Sequence, residues 1–197
     1  MTKKVLITLS VAVVALVVWA VSAYNGIISA EENVESRWGN VQNVYQRRAD
    51  LIPNLVATVK GYAEHERATL EDITNVRARA TQITVNANDL TPEKMREFQR
   101  TQGELSAALG RLIAISENYP DLKANQNFLE LQAQLEGTEN RINVERKNFN
   151  DAAQHYNTKI RRFPTSILAG IFGFDKKPYF EAETGSEAVP QVQFSNK

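Results

Sequence analysis

The sequence predicts an all-α fold, an N-terminal transmembrane helix followed by an antiparallel bundle of three to four long helices. Three observations carry this expectation. Residues 5–23, VLITLSVAVVALVVWAVSA, are an apolar run relieved only by Thr8, Ser10 and Ser22. Beyond it, apolar residues recur with a seven-residue rhythm, which lines one face of a helix. Short connections, residues 119–124 above all, favour stripes that fold back on each other within one chain over a coiled coil between chains.

The first element is the apolar run. Nineteen helical residues rise about 28 Å, close to the hydrocarbon thickness of a bilayer. A cleaved signal peptide is the rival, because Val21-Ser22-Ala23 is an acceptable cleavage site. Signal h-regions span only about 7–15 residues, and helical character resumes at Tyr24 without a linker, so a retained anchor over 5–23 is expected. Trp19 and Tyr24 stand toward its outer end, where aromatic side chains prefer the interface. Lys3 and Lys4 precede the run, whereas Glu31, Glu32 and Glu35 follow it. Positive-inside then puts residues 1–4 in the cytoplasm and the domain on the outer side of the cell membrane. Ser22 and Gly26, four apart, give a weak signal for close helix contact.

Residues 24–164 read as the helical-bundle domain. Ile27, Val34, Val41, Leu55 and Tyr62 hold one heptad position; Trp38, Tyr45, Ile52, Val59 and Ile73 hold the other. An interior proline deletes a backbone hydrogen bond, so Pro53 predicts a kink or a break near residues 49–53, with Asp50 as cap of a restarted helix. Residues 81–90 read as a loop. Thr91-Pro92-Glu93 opens the next helix, with Met95, Phe98, Leu105, Leu109 and Leu112 on its face. The last long helix starts near Asn125 and carries Phe128, Leu131, Leu135, Ile142, Phe149, Ala152, Tyr156, Ile160 and Phe163, with Pro164 as its stop.

Several polar residues fall where this rhythm calls for apolar ones. Arg48 lies in line with Val41 and Leu55, Thr138 between Leu135 and Ile142, and Glu145 between Ile142 and Phe149. A charge left unpaired in a core costs several kcal/mol. Arg47 or Arg48 is therefore expected to meet Glu139 or Glu145 across the bundle, unless the arginine snorkels along its edge. Phe149-Asn150 and Tyr156-Asn157 repeat one heptad apart, so their amides either bond across elements or lie on the surface.

Reactive chemistry is not indicated. Lys+Arg and Asp+Glu number 23 each, so no net field draws nucleic acid. Without cysteine there is no thiolate metal site or cysteine nucleophile. His65-Glu66 opens an H-E-x-x-H pattern, but residue 69 is Thr. His155 is the second of two histidines, and both are expected at the surface. Residues 170–177 lack phosphate-loop spacing, and Gly185-Ser186 lacks the second glycine of a nucleophile elbow. No catalytic, cofactor or metal residues are assigned.

Trp38, QRRADLIPNLV at 46–56, KGYAEHE at 60–66 and ENYPDLKA at 117–124 together resemble the LemA family. Glu139, Arg146, Tyr156-Asn157 and Phe163-Pro164 extend the resemblance over essentially the whole chain. It implies a bacterial single-pass membrane protein with a helical-bundle domain and no cofactor, and partners among membrane proteins, including those of membrane proteolysis.

Two C-terminal stretches complete the reading. Residues 165–178 contain ILAGIFGF, too short to span a bilayer as a helix. Its apolar Ile167, Leu168, Ile171, Phe172 and Phe174 form a candidate interface, docking on the bundle, on a partner or on the membrane surface. Residues 179–197 read as an acidic, flexible tail. The function expected is a membrane-anchored, non-enzymatic interaction or scaffold protein of the envelope that touches the lipid bilayer and self-associates. The alternative is a ligand or peptide sensor with a pocket between helices. A metalloenzyme or hydrolase is the third and weakest class.

Overall fold

One helix serves both the apolar run and the bundle. Helix α1 spans Lys3–Lys60, 58 residues without interruption, about 87 Å long at 1.5 Å per residue. The computed structural model describes residues 3–83 and 85–181. The apolar window of α1 is wholly exposed, while from Ile27 onward the same helix supplies the centre of the core.

The break expected near residues 49–53 lies elsewhere. α1 continues through Pro53, and Asp50 accepts a hydrogen bond from Gln46 rather than capping a new helix. Pro53 has no N–H to give the Ala49 carbonyl, its partner one turn earlier. The Arg77 Nε–H takes that place, donating to the Ala49 oxygen at 2.7 Å. The chain instead leaves the helix at Gly61, where the amides of Tyr62 and Ala63 both return to the Val59 carbonyl. Tyr62 is consequently exposed, and Ala63 fills the core position expected of it.

Helix α2 (Arg67–Gln82) descends along α1. Among the described residues that follow, 83 and 85–91, a 3₁₀ turn forms at Ala87–Asp89. Helix α3 (Pro92–Ile115) rises against α2, capped by Thr91, whose hydroxyl accepts from the Lys94 amide. A 3₁₀ turn and the four-residue helix α4 (Pro120–Lys123) reverse the chain. Helix α5 (Gln126–Arg161) starts at the Asn125 cap and returns along the whole bundle part of α1. Its 36 residues measure about 54 Å. α5 stops at Arg161, so Phe163 lies outside the stripe and is 82 % exposed. The short helix α6 (Thr165–Phe172) follows, ended by Gly173 at φ 73°, a left-handed conformation that suits glycine.

The core has two halves. Far from the apolar run, Ile52, Leu55, Ile73, Leu105, Leu112 and Phe128 bring together all four long helices. Nearer to it, α1 and α5 pair over Ile27, Val34, Trp38, Phe149 and Tyr156. Ile83, Val85, Ala87 and Leu90 from the α2–α3 connection, and the extended segment 174–181, cover this half. Trp38 is its centre: the indole donates to the Val85 carbonyl at 2.7 Å and packs against Phe98, Phe149 and Phe180.

Residues 179–181, assigned to the tail by composition, are therefore part of the packed domain, with Phe180 buried. The reason is a matching of periods. One heptad of α5 rises about 10.5 Å, and three extended residues cover about 10 Å. Asn157 and Asn150, one heptad apart, each hold one backbone position of the extended segment. The Asn157 amide donates to the Lys177 carbonyl at 2.8 Å and accepts from the Lys177 N–H at 2.9 Å. Asn150 does the same for Phe180, at 3.1 and 2.8 Å. These asparagines bond across elements, like a sheet edge built from side chains. The remainder of the acidic tail, 182–197, lies outside the described residues.

Candidate functional site

A polar layer separates the two halves of the core. It occupies the heptad slots left without apolar residues: Arg48 between Tyr45 and Ile52, Gln102 between Met95 and Leu109, Thr138 between Leu135 and Ile142. The Arg48 side chain is 2 % exposed. Its Nη1 donates to Ser106 Oγ at 2.8 Å and Glu139 Oε2 at 3.0 Å. Its Nη2 donates to the Gln102 carbonyl at 3.2 Å and Gln102 Oε1 at 2.6 Å. The guanidinium also stands 5.0 Å from the centroid of the Tyr45 ring. One side chain of α1 thus ties α3 and α5 together. Thr138 satisfies itself locally by donating to the Gln134 carbonyl.

Of the four residues expected to form this network, the structure brings Arg48 and Glu139 together. Arg47 lies exposed on the outer side of α1, and Glu145 accepts from Asn148. The register explains the choice. Trp38 packs on Phe149 and Arg48 meets Glu139, so each step up α1 is one step back along α5. Glu145 is six residues nearer the apolar run, about 9 Å from the level of Arg48. Gln102 and Ser106 were not anticipated, although Gln102 occupies an apolar slot of α3 and could have been flagged by that rule.

The pair is asymmetric. Glu139 is 46 % exposed, and it lines a cleft of about 480 Å³ with Arg48, Ser106, Leu109, Ile113 and Leu135. A smaller cavity of about 80 Å³ opens on the other side of Arg48 toward Tyr45, Gln99 and Arg146. The larger cleft offers apolar walls, a carboxylate and a buried cation, which suits binding rather than bond-breaking. Ser106 accepts from Arg48 and donates to the Gln102 carbonyl, with no histidine among these partners. His65 and His155 are exposed, one in the distal turn and one on α5. Among the described residues, no three potential metal ligands cluster.

At the far tip, the motifs KGYAEHE and ENYPDLKA meet. The Asn125 amide donates to the Tyr62 hydroxyl at 2.9 Å, and the Tyr119 hydroxyl donates to Glu66 at 3.3 Å. Partial burial and the Glu66 charge hold that hydroxyl in its protonated form, above its usual range. The tip is a closed turn-to-turn joint.

The predicted interface residues lie at the opposite end. Ile167, Ile171 and Phe172 are exposed, Leu168 is half-buried, and Phe174 packs against the core. Phe172 and Phe174 stand 4.9 and 5.7 Å from the Tyr24 ring, just past the end of the apolar run. Gly26, read as one half of a small-residue contact, is taken up within the chain: a Cβ there would stand 2.9 Å from Lys159 Nζ. The exposed apolar part of α1 is long and apolar enough to cross a membrane.

The chain is 25% identical to the magnetosome protein MamQ 2 of Paramagnetospirillum magneticum, over 91% of this chain and 74% of that protein. It is equally similar to the magnetosome protein MamQ of Magnetospirillum gryphiswaldense, covering 91% and 73%. With the protein LemA of Metamycoplasma hominis it shares 25% identity over 74% of this chain and 63% of that one. The family model for the LemA family matches residues 37–194, from just before Trp38 to beyond the extended segment, and the chain belongs to the LemA family.

Proposed function

We propose that this protein is a membrane-anchored, non-enzymatic interaction protein of the bacterial envelope that holds partners at a fixed height and angle above the lipid. The observation that carries this reading is the unbroken α1, which is both anchor and central core helix. With no joint between residues 23 and 27, the bundle cannot swing freely, so whatever docks on it inherits its orientation. The relatives are named for a family and for a magnetosome, not for a reaction. In this reading the N-terminus is cytoplasmic, the bundle lies on the outer side of the inner membrane, and copies of the chain self-associate. Crosslinking in intact membranes followed by mass spectrometry tests it. Recurrent crosslinks from bundle lysines to another copy or to other membrane proteins are expected. A chain that runs as a clean monomer in detergent by light scattering, and crosslinks to nothing, refutes the reading.

The cleft beside Glu139 favours a second reading, a ligand or peptide sensor. Leu109→Trp would fill the cleft, so it should abolish binding of any ligand found there while leaving the crosslinks unchanged.

A further inference from the structure

The exposed apolar residues near α6 all lie at one level of the molecule. Tyr24 is fourteen residues below Trp38 on α1, and Phe163 is fourteen residues beyond Phe149, the packing partner of Trp38. The antiparallel register therefore brings the end of α5, two residues before Phe163, close to the height of Tyr24, one residue past the apolar run. Lys159 beside Gly26 fits the same alignment. The chain beyond α5 turns aside there, and α6 packs against α1 and α5 with Ala169 buried and Phe172 edge-on to Tyr24. This leaves Phe163, Ile167, Ile171 and Phe172 more than half exposed, in a segment that also carries Arg161, Arg162 and Lys176. The ion pair of Lys177 with Glu31, at 2.7 Å and largely buried, fastens the segment that follows α6 to α1.

We infer that α6 and Phe163 form a lipid-binding foot, inserted into the interfacial layer of the same bilayer that α1 crosses. The inference rests on reading residues 5–23 as the membrane anchor. A short apolar segment flanked by arginine and lysine suits the boundary between acyl chains and headgroups, where its side chains reach hydrocarbon and the cations reach phosphate. Its position decides the occupant: at the height where α1 leaves the apolar run, lipid lies alongside whenever α1 spans. A second contact beside α1 would also oppose rotation of the bundle about the α1 axis, which an unbroken helix leaves free.

The absence of cysteine allows clean site-directed spin labelling of the full chain. Leu16→Cys, Ile171→Cys and Leu129→Cys would be labelled singly and reconstituted with excess unlabelled chain in phosphatidylcholine–phosphatidylglycerol vesicles. Collision rates with oxygen and with a water-soluble nickel chelate then report depth. The expected order has position 16 strongly oxygen-accessible, position 129 strongly nickel-accessible, and position 171 shifted toward oxygen between them. A label at 171 as nickel-accessible as that at 129, with 16 in hydrocarbon, overturns the foot and leaves the anchor standing. Shielding of 171 from both reagents, with spin–spin broadening when the unlabelled chain is omitted, overturns it in favour of a second copy. Nickel access at 16 overturns anchor and foot together.

Discussion

The helix through Pro53 depends on a residue 24 positions away, and that dependence can be measured. Pro53 leaves the Ala49 carbonyl without its helical partner, and Arg77 supplies the donor at 2.7 Å. Ala49 is 3 % exposed, so water cannot readily replace that donor. A hydrogen bond from a charged donor contributes about 1.5–3 kcal/mol, and a buried carbonyl left bare costs about 1–3 kcal/mol. Because Arg77 is itself half-buried, Arg77→Met should lower stability by about 2 kcal/mol. Pro53→Ala restores an N–H that can reach the Ala49 oxygen. By itself it should be neutral or stabilising, since an interior proline costs about 3 kcal/mol relative to alanine, partly offset by the freer unfolded chain. In the Pro53→Ala background, Arg77→Met should cost about 1 kcal/mol or less. Urea unfolding of the full chain in detergent micelles, followed by far-ultraviolet circular dichroism, gives all four corners of the cycle. A coupling below about 0.5 kcal/mol, the level at which independent sites add, refutes the reasoning.

Three further outcomes are expected from the same assay. Phe180→Ala removes a buried ring from between Trp38, Phe98 and Phe149, and should cost about 3–5 kcal/mol; a loss under 1 kcal/mol, a rough threshold, means that segment 174–181 does not belong to the cooperative unit. Glu139→Leu strands the buried Arg48 cation and should cost up to about 3 kcal/mol, the lower end for breaking a buried pair because Glu139 is half exposed. Arg48→Met/Glu139→Leu should then be more stable than Glu139→Leu alone. Among the described residues the buried Tyr156 hydroxyl has no hydrogen-bond partner, so Tyr156→Phe should be neutral or stabilising by up to about 1 kcal/mol. Burial, reinforced by the Glu31 and Asp175 carboxylates, pushes that hydroxyl far above its ordinary value. The folded chain keeps a proton the unfolded chain releases, so this contribution is complete below about pH 10 and is lost as pH rises further. Tyr156→Phe should therefore lose less stability than wild type above pH 10 (about the unfolded tyrosine pKa).

Much of the fold was legible because it follows from local periodicity. The stripes of α3 and α5 are buried nearly as their spacing required, and Thr91 and Asn125 cap where their side chains can reach an amide three residues on. The site was only half legible. A polar residue in an apolar slot marks Arg48, but nothing local distinguishes Glu139 from Glu145, which sit on the same helix at different heights.

The apolar rod, the all-helical class and the presence of a charge, Arg48, in an apolar slot are all readable from the chain alone. Each of these follows from hydrophobicity or charge over a few helical turns. That Pro53 is tolerated, that Phe180 is core and that α6 lies level with Tyr24 emerge only in the folded molecule. Those outcomes depend on donors, rings and registers contributed by distant parts of the chain, whose pairing becomes defined only when α1 and α5 lie side by side.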